Sequence, residues 1–323
     1  MAAACIRASE LTRADLERVA EALLGLGPTV AIDDAMDRMG VVWVDGVGVP
    51  VHGRRAFAEE VAHTVGRLVE RAIVRVVMAG GPRIAKALAV HARVNQSVRI
   101  ASWVVAEGKD RAAVRALPIE ALELSKEARA LLSGMGLSTV GDVADLPRSG
   151  LGIRLGHEMR ALSTFLDGED AQGLRPYVPK ERPEESMDLD EGIEAHEPLG
   201  FVVHGLCSRM AARLLGRGVG AAKVELELRL DRAIARIRGV DAHVRTELSF
   251  SACIFEHEDL FAVLRARIVT LELPAPVRTV ILRVMELGRR DERELSLFVP
   301  EAKAERALPR LVAELVAEYG EGS

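Results

Sequence analysis

Aromatic residues make up only 3% of this 323-residue chain. No apolar run approaches the ~20 residues that a membrane-spanning helix needs, so no membrane partner is expected. Three cysteines, Cys5, Cys207 and Cys253, lie far apart and form no Cys-x-x-Cys. That spacing gives neither a disulfide framework nor a zinc site, and it points to a reducing cytosol. The eight histidines are scattered, with no pair at metal spacing on one helix. The opening residues lack the apolar core of a signal peptide. No internal repeat, no low-complexity tract and no Ser-His-Asp or Cys-His arrangement is legible. The formal charge of −5 argues against a surface coated with basic residues.

What is there is a globular composition, 49% hydrophobic and 28% charged, on a chain long enough for two or three domains. Charge is unevenly spread. Between His204 and Phe250 stand Arg209, Arg213, Arg217, Lys223, Arg229, Arg232, Arg236, Arg238 and Arg245, against Glu225, Glu227, Asp231, Asp241 and Glu247. This excess is opposite in sign to the whole chain and predicts a local basic face.

Leu131–Pro147 reads as two short helices joined by a glycine-bearing turn. Leu131, Leu132 and Met135 lie before the turn, and Leu137, Val140, Val143 and Leu146 follow at helical spacing. Gly134 and Gly136 can take backbone angles closed to other residues. Thr139 can cap the second helix, and Pro147 follows its end. The pattern is that of a helix-hairpin-helix, which presents backbone N–H groups to a phosphate, here through Gly134, Gly136, Ser138 and Thr139. An ordinary helical hairpin in a core has the same pattern.

Helices are expected at Glu10–Leu26, Ala56–Arg71 and Arg83–His91, with buried strands at Val41–Val44 and Ile73–Met78. Gly80-Gly81-Pro82 opens the third helix. It is no Walker A loop; a phosphate cradle with Lys86 facing a ligand and a capped helix start with Lys86 in solvent are both open. Asp167–Glu185 is rich in glycine, proline and charge and marks a boundary. Beyond it, strands and helices follow as β-α-β-β-α-β. The cleanest strand is Ala222–Leu230, with Val224, Leu226, Leu228 and Leu230 on one face and Lys223, Glu225, Glu227 and Arg229 on the other.

This order of parts resembles the Y-family translesion DNA polymerases. The pieces that carry the likeness are Val41–Gly48, Met78–Ala89, Leu117–Leu122 and Leu131–Pro147. The resemblance implies an α+β chain: a partial α/β palm over 1–110, lacking the N-terminal strand and fingers, and a helix-hairpin-helix thumb over 111–168. A linker at 169–185, a βαββαβ little-finger domain at 186–290 and a tail at 291–323 follow.

Within the family the chain looks most like a branch that has lost catalysis and serves a bacterial mutagenic repair complex. Family polymerases hold two metal ions on carboxylates, two of them in a Ser-Ile-Asp-Glu-Ala-Tyr-Leu-Asp type segment. Setting the last Asp of that segment on Asp45 puts Gly40 and Val41 at the paired carboxylates, and neither can ligate Mg²⁺. A shifted match would use Asp33 and Asp34 instead. The preferred reading of Asp33-Asp34 is a solvated acidic loop.

The resemblance thus implies a non-catalytic adaptor in DNA repair, without a cofactor. The alternatives are an active or truncated Y-family polymerase, which would need Mg²⁺, and an unrelated helix-hairpin-helix repair protein. Primer-template DNA would be gripped through Lys223, Arg229, Arg236, Arg238 and Arg245. Glu294-Leu295-Ser296-Leu297-Phe298 is similar to the peptide that polymerases insert into the bacterial sliding clamp, with Glu294 replacing the usual Gln. An amphipathic helix is expected at Ala302–Tyr319. An error-prone C-family polymerase, a small accessory protein and a cytoplasmic, nucleoid-associated location complete the implied setting.

Overall fold

The computed structural model describes residues 1–8, 11–36, 39–69, 71–92, 98–170 and 173–289. The expected clamp peptide and C-terminal helix lie outside the described residues. The chain divides into two units, Met1–Val178 and Pro179–Ser323.

The first unit runs β1 (Ala2–Arg7), α1 (Arg13–Leu23), β2 (Val30–Met36), β3 (Met39–Val44), α2 (Arg54–Leu68), β4 (Ile73–Met78), α3 (Pro82–His91) and β5 (Ile100–Val104). The helices α4 (Asp110–Arg115), α5 (Lys126–Gly134), α6 (Val140–Ala144), α7 (Arg148–Leu155) and α8 (Glu158–Leu166) follow. The strands form one sheet in the order β2-β3-β1-β4-β5, antiparallel except for β4 with β5.

The strand β1 corrects the sequence reading, which placed no strand before the first helix. It occupies the middle of the sheet and carries no carboxylate. Its Ala-Ala-Ala-Cys run lacks the β-branched side chains that signal a strand. Those small side chains are what a central strand covered on both faces accommodates. Ala2, Ala4 and Ile6 pack with Leu16, Val19, Val61 and Val65, on the side of α1 and α2. Ala3 and Cys5 face the other way, toward Ile84, Ala85 and Leu88 of α3. That second core continues through Val114, Leu132, Val140, Val143, Leu162 and Phe165. Sheet and helical hairpin therefore share one apolar interior.

Local chemistry fixes the helix ends. Thr12 and Asp15 form a capping box at α1, and Thr139 and Asp142 form another at α6. Within the expected linker, Leu174 packs on the core and the Tyr177 N–H donates to Val30 O (2.7 Å). The Tyr177 hydroxyl donates to buried Glu21 (2.9 Å).

The second unit runs β6 (Glu184–Ile193), α9 (His196–Arg217), β7 (Val219–Leu230), α10 (Arg232–Arg238), β8 (His243–Ile254), α11 (His257–Thr270) and β9 (Val277–Arg289). Its sheet has the order β6-β9-β7-β8, antiparallel throughout. Leu199, Val203, Leu206 and Met210 of α9 and Leu260, Val263 and Leu264 of α11 pack on Val224, Leu226, Leu228, Val280 and Leu282. The β-α-β-β-α-β order holds, with α10 added between β7 and β8. The fold is α+β: a five-stranded mixed sheet with a helical hairpin in the first unit and a four-stranded βαββαβ sheet in the second.

Candidate nucleic-acid interface

On the α3 side of the first sheet, Asp33 of β2 pairs in register with Val41 of β3. Its carboxylate accepts from Lys86 Nζ at 2.6 Å. The same ammonium lies 2.6 Å from Glu123 Oε1 and 5.9 Å above the Trp43 ring. Burial alone would lower the Lys86 pKa; the Asp33 and Glu123 hydrogen bonds outweigh it and hold the group above its ordinary value. Glu123 follows a 3-10 turn at φ 51°, left-handed backbone that costs a non-glycine residue about 1 kcal/mol or more.

Two expectations are corrected here. The acidic loop is a strand, and Asp33 is ion-paired rather than solvated. Lys86 is not in solvent either, because it bridges three elements. The side chain of Asp34 lies outside the described residues.

Gly40 and Val41 are neighbours on β3, so they face opposite sides of the sheet. A Cβ at Gly40 would stand 2.5 Å from Leu16 Cδ2, on the α1 side. Val41 is buried in the other core, beside Trp43 and Ala31. Neither position carries a ligand side chain, and both are closed in by packing. Among the described residues no group of three His, Cys, Asp or Glu side chains could hold a metal ion. The described residues do not supply the carboxylates of a two-metal centre.

The Gly80-Gly81-Pro82 turn does start a helix, with Pro82 at its first position. Its donors are taken: Gly80 N–H donates to Asp110 Oδ1 (3.0 Å) and Arg83 N–H to Asp170 Oδ2 (2.5 Å). Two carboxylates stand where a phosphate would lie, so the phosphate-cradle reading fails.

Leu131–Pro147 is a helical hairpin formed by the end of α5 and by α6. Only Gly136 needs glycine's freedom (φ 79°), so the joint role given to Gly134 is corrected. The N–H groups of Ser138 and Thr139 donate to Asp142 Oδ2 at 3.0 and 2.8 Å. Those two backbone bonds, Ser138 first, hold the Asp142 pKa at about 2. Gly136 N–H donates to Ser133 O and Val140 N–H to Leu117 O. The turn therefore presents the Asp142 carboxylate at the donors expected for a phosphate. The exposed tip is Met135-Gly136, with Arg154 donating to the Met135 sulfur (3.2 Å). The sequence signal for Asp142 was available, since Thr139-x-x-Asp142 is a capping box.

In the second unit, Lys223, Arg229 and Arg245 do share the open sheet face. Arg236 and Arg238 do not: both are exposed on α10, and Arg238 donates to Pro274 O (2.7 Å). The register brings Glu184, Asp188, Glu225, Glu227 and Glu247 onto the same face. Glu227, 1% exposed, sits 2.6 Å from Arg283 Nη1, 2.8 Å from His243 Nδ1, 3.2 Å from Arg229 Nε and 3.4 Å from Arg245 Nη2. Burial would raise its pKa; the Arg283, His243 and Arg229 hydrogen bonds win and hold it at about 2. Arg283 also reaches Glu225 (2.7 Å), and Lys223 pairs with Glu247. The face is a cross-strand charge network, not a basic surface. Arg283, absent from the sequence-predicted set, was legible only as an outward position of an alternating strand.

A five-stranded sheet joined to a helical hairpin, and a separate βαββαβ unit, define a chain of mixed α+β build. Its sequence is similar to Protein ImuB of Caulobacter vibrioides, from strain NA1000/CB15N and from strain ATCC 19089. Each match is 34% identical over 124 residues, 37% of this chain and 26% of the relative. The matched stretch thus spans about a quarter of those relatives. Over that stretch the chain is ImuB-like in sequence. No protein-family model matches. Among solved structures, DinB from Sulfolobus solfataricus is 12% identical, covering 84% of this chain and 75% of its own at a TM-score of 0.39. An insertion ternary complex of Dbh DNA polymerase is 12% identical over 86% of this chain and 76% of that one, with a TM-score of 0.39. No helix among the described residues is long and apolar enough to cross a membrane.

Proposed function

We propose that this chain is a non-catalytic, ImuB-type adaptor that holds primer-template DNA for another polymerase during translesion synthesis. The observation that supports this most directly is the pair Gly40 and Val41. One is pressed against Leu16 and the other is buried in a core, where the family's polymerases need paired carboxylates. Asp33, the described half of the alternative pair, is engaged by Lys86.

DNA contact would come from the Met135-Gly136 tip of the thumb and from Arg229, Arg245 and the α10 residues Arg236 and Arg238. Neighbouring carboxylates keep that contact modest and salt-sensitive. Glu294–Phe298 would tether the chain to the sliding clamp through Leu295, Leu297 and Phe298. A C-family polymerase would perform synthesis together with a small accessory protein, in the cytoplasm at the nucleoid.

The test is extension of a primed template with Mg²⁺ and all four nucleotides. No incorporation is expected. Robust incorporation that disappears in Asp33→Ala/Asp34→Ala would overturn the adaptor reading in favour of an active polymerase. For the tether, Leu297→Ala/Phe298→Ala should abolish clamp binding in a pull-down; unchanged binding places the contact elsewhere.

A further inference from the structure

His204 and His257 are 53 residues apart in sequence, yet their Nε2 atoms lie 3.3 Å from each other. The rings are nearly perpendicular (86°, centroids 5.1 Å apart), so they do not stack and the two nitrogens make the close approach. His204 sits on the third turn of the long helix α9, and His257 is the first residue of α11. Buried Val203, Leu206 and Cys207 beneath the first, and Leu260, Val263 and Leu264 beneath the second, fix the two helices against one sheet. The Phe261 ring meets His204 edge-on at 4.8 Å and limits its rotation.

We propose that His204 and His257 form a two-histidine site for a borderline first-row divalent cation such as Zn²⁺, bridging α9 and α11. Two imidazoles on one tetrahedral zinc, with Zn–N about 2.0–2.1 Å, hold their nitrogens roughly 3.3–3.4 Å apart. The observed spacing is already that bite. Glu258 Oε2 lies 3.0 Å from His257 Nδ1. A carboxylate there favours the tautomer with the proton on Nδ1 and leaves the Nε2 lone pair for a metal.

His204 also lines a cleft of about 630 Å³, with Phe201, Phe261 and Arg265. The cleft leaves room for water at the remaining coordination positions. Among the described residues no third protein ligand joins the pair. The site would therefore be an open one that staples two helices. It is independent of the palm carboxylates and takes nitrogen-preferring cations rather than Mg²⁺.

Calorimetric titration of the chelator-treated full chain with ZnCl₂ tests this. One equivalent should bind, and His204→Ala and His257→Ala should each lose that binding at unchanged far-UV circular dichroism. Glu258→Gln should weaken it about 10-fold. In ¹⁵N-histidine spectra, zinc should shift the Nε2 resonances of these two rings first. Absence of saturable binding in the wild type, or wild-type affinity retained in either alanine variant, would show that the nitrogens share only a hydrogen bond.

Discussion

The Lys86 ammonium lies 2.6 Å from Asp33 and 2.6 Å from Glu123, so a strand, a helix and the end of a 3-10 turn meet at one cation. Sequence separation hides this arrangement completely. It also occupies the Asp33 carboxylate, the described half of the Asp33-Asp34 pair.

Replacing Lys86 with Met should destabilise the first unit. Two partly buried carboxylates would face each other without their shared donor, which costs about 1–3 kcal/mol. Denaturant unfolding measures it, with Asp33→Asn as the milder comparison. Because the Lys86 pKa is raised on folding, its contribution is complete at neutral pH. It is lost only in alkali, as pH rises through the folded value.

Glu227 gives the opposite pH dependence in the second unit. Its pKa of about 2 lies below that of an unfolded glutamate. The stabilisation is present above pH ~4.3 and fades as pH falls toward 2; a two-unit shift is worth about 3 kcal/mol. Glu227→Gln should remove most of that acid-labile stability in a pH series of thermal melts.

Lys223 is neutralised by Glu247, an exposed partner. Glu247→Gln should therefore strengthen DNA binding and steepen the dependence of log K on log salt by about 0.9, the value of one added phosphate contact. Arg236→Ala/Arg238→Ala should weaken binding equally for all sequences. A sequence-selective loss in fluorescence anisotropy would contradict a backbone role for α10.

In the helical hairpin, Thr139→Ala removes the α6 cap and should cost about 1 kcal/mol. Gly136→Ala places a side chain at φ 79° and should cost a similar amount. If the hairpin tip holds DNA, both variants should reduce DNA binding in proportion to their loss of order, read by hydrogen exchange at 136–142.

Much of the second unit was legible because Val224, Leu226, Leu228 and Leu230 alternate without interruption. The face charge was not. A count along His204–Phe250 omits β6 and β9, and the register delivers Glu184, Asp188 and Arg283 from them. Charge on a sheet belongs to the pairing of strands rather than to any one segment. Strand β1 was hidden for a different reason: alanine is chosen there for close layer packing, and it carries no strand signal of its own. The meeting of His204 with His257 depends on how α9 and α11 lie on the sheet, which no periodicity encodes.

Leu16 fills the space that a side chain at position 40 would need. A carboxylate at Gly40 requires a smaller residue at position 16 as well, and Val41 would have to leave a sealed interior. No single substitution can place a pair of carboxylates at these two positions. Two carboxylates side by side on β3 therefore call for coordinated change on that strand, on α1 and in the core that seals Val41.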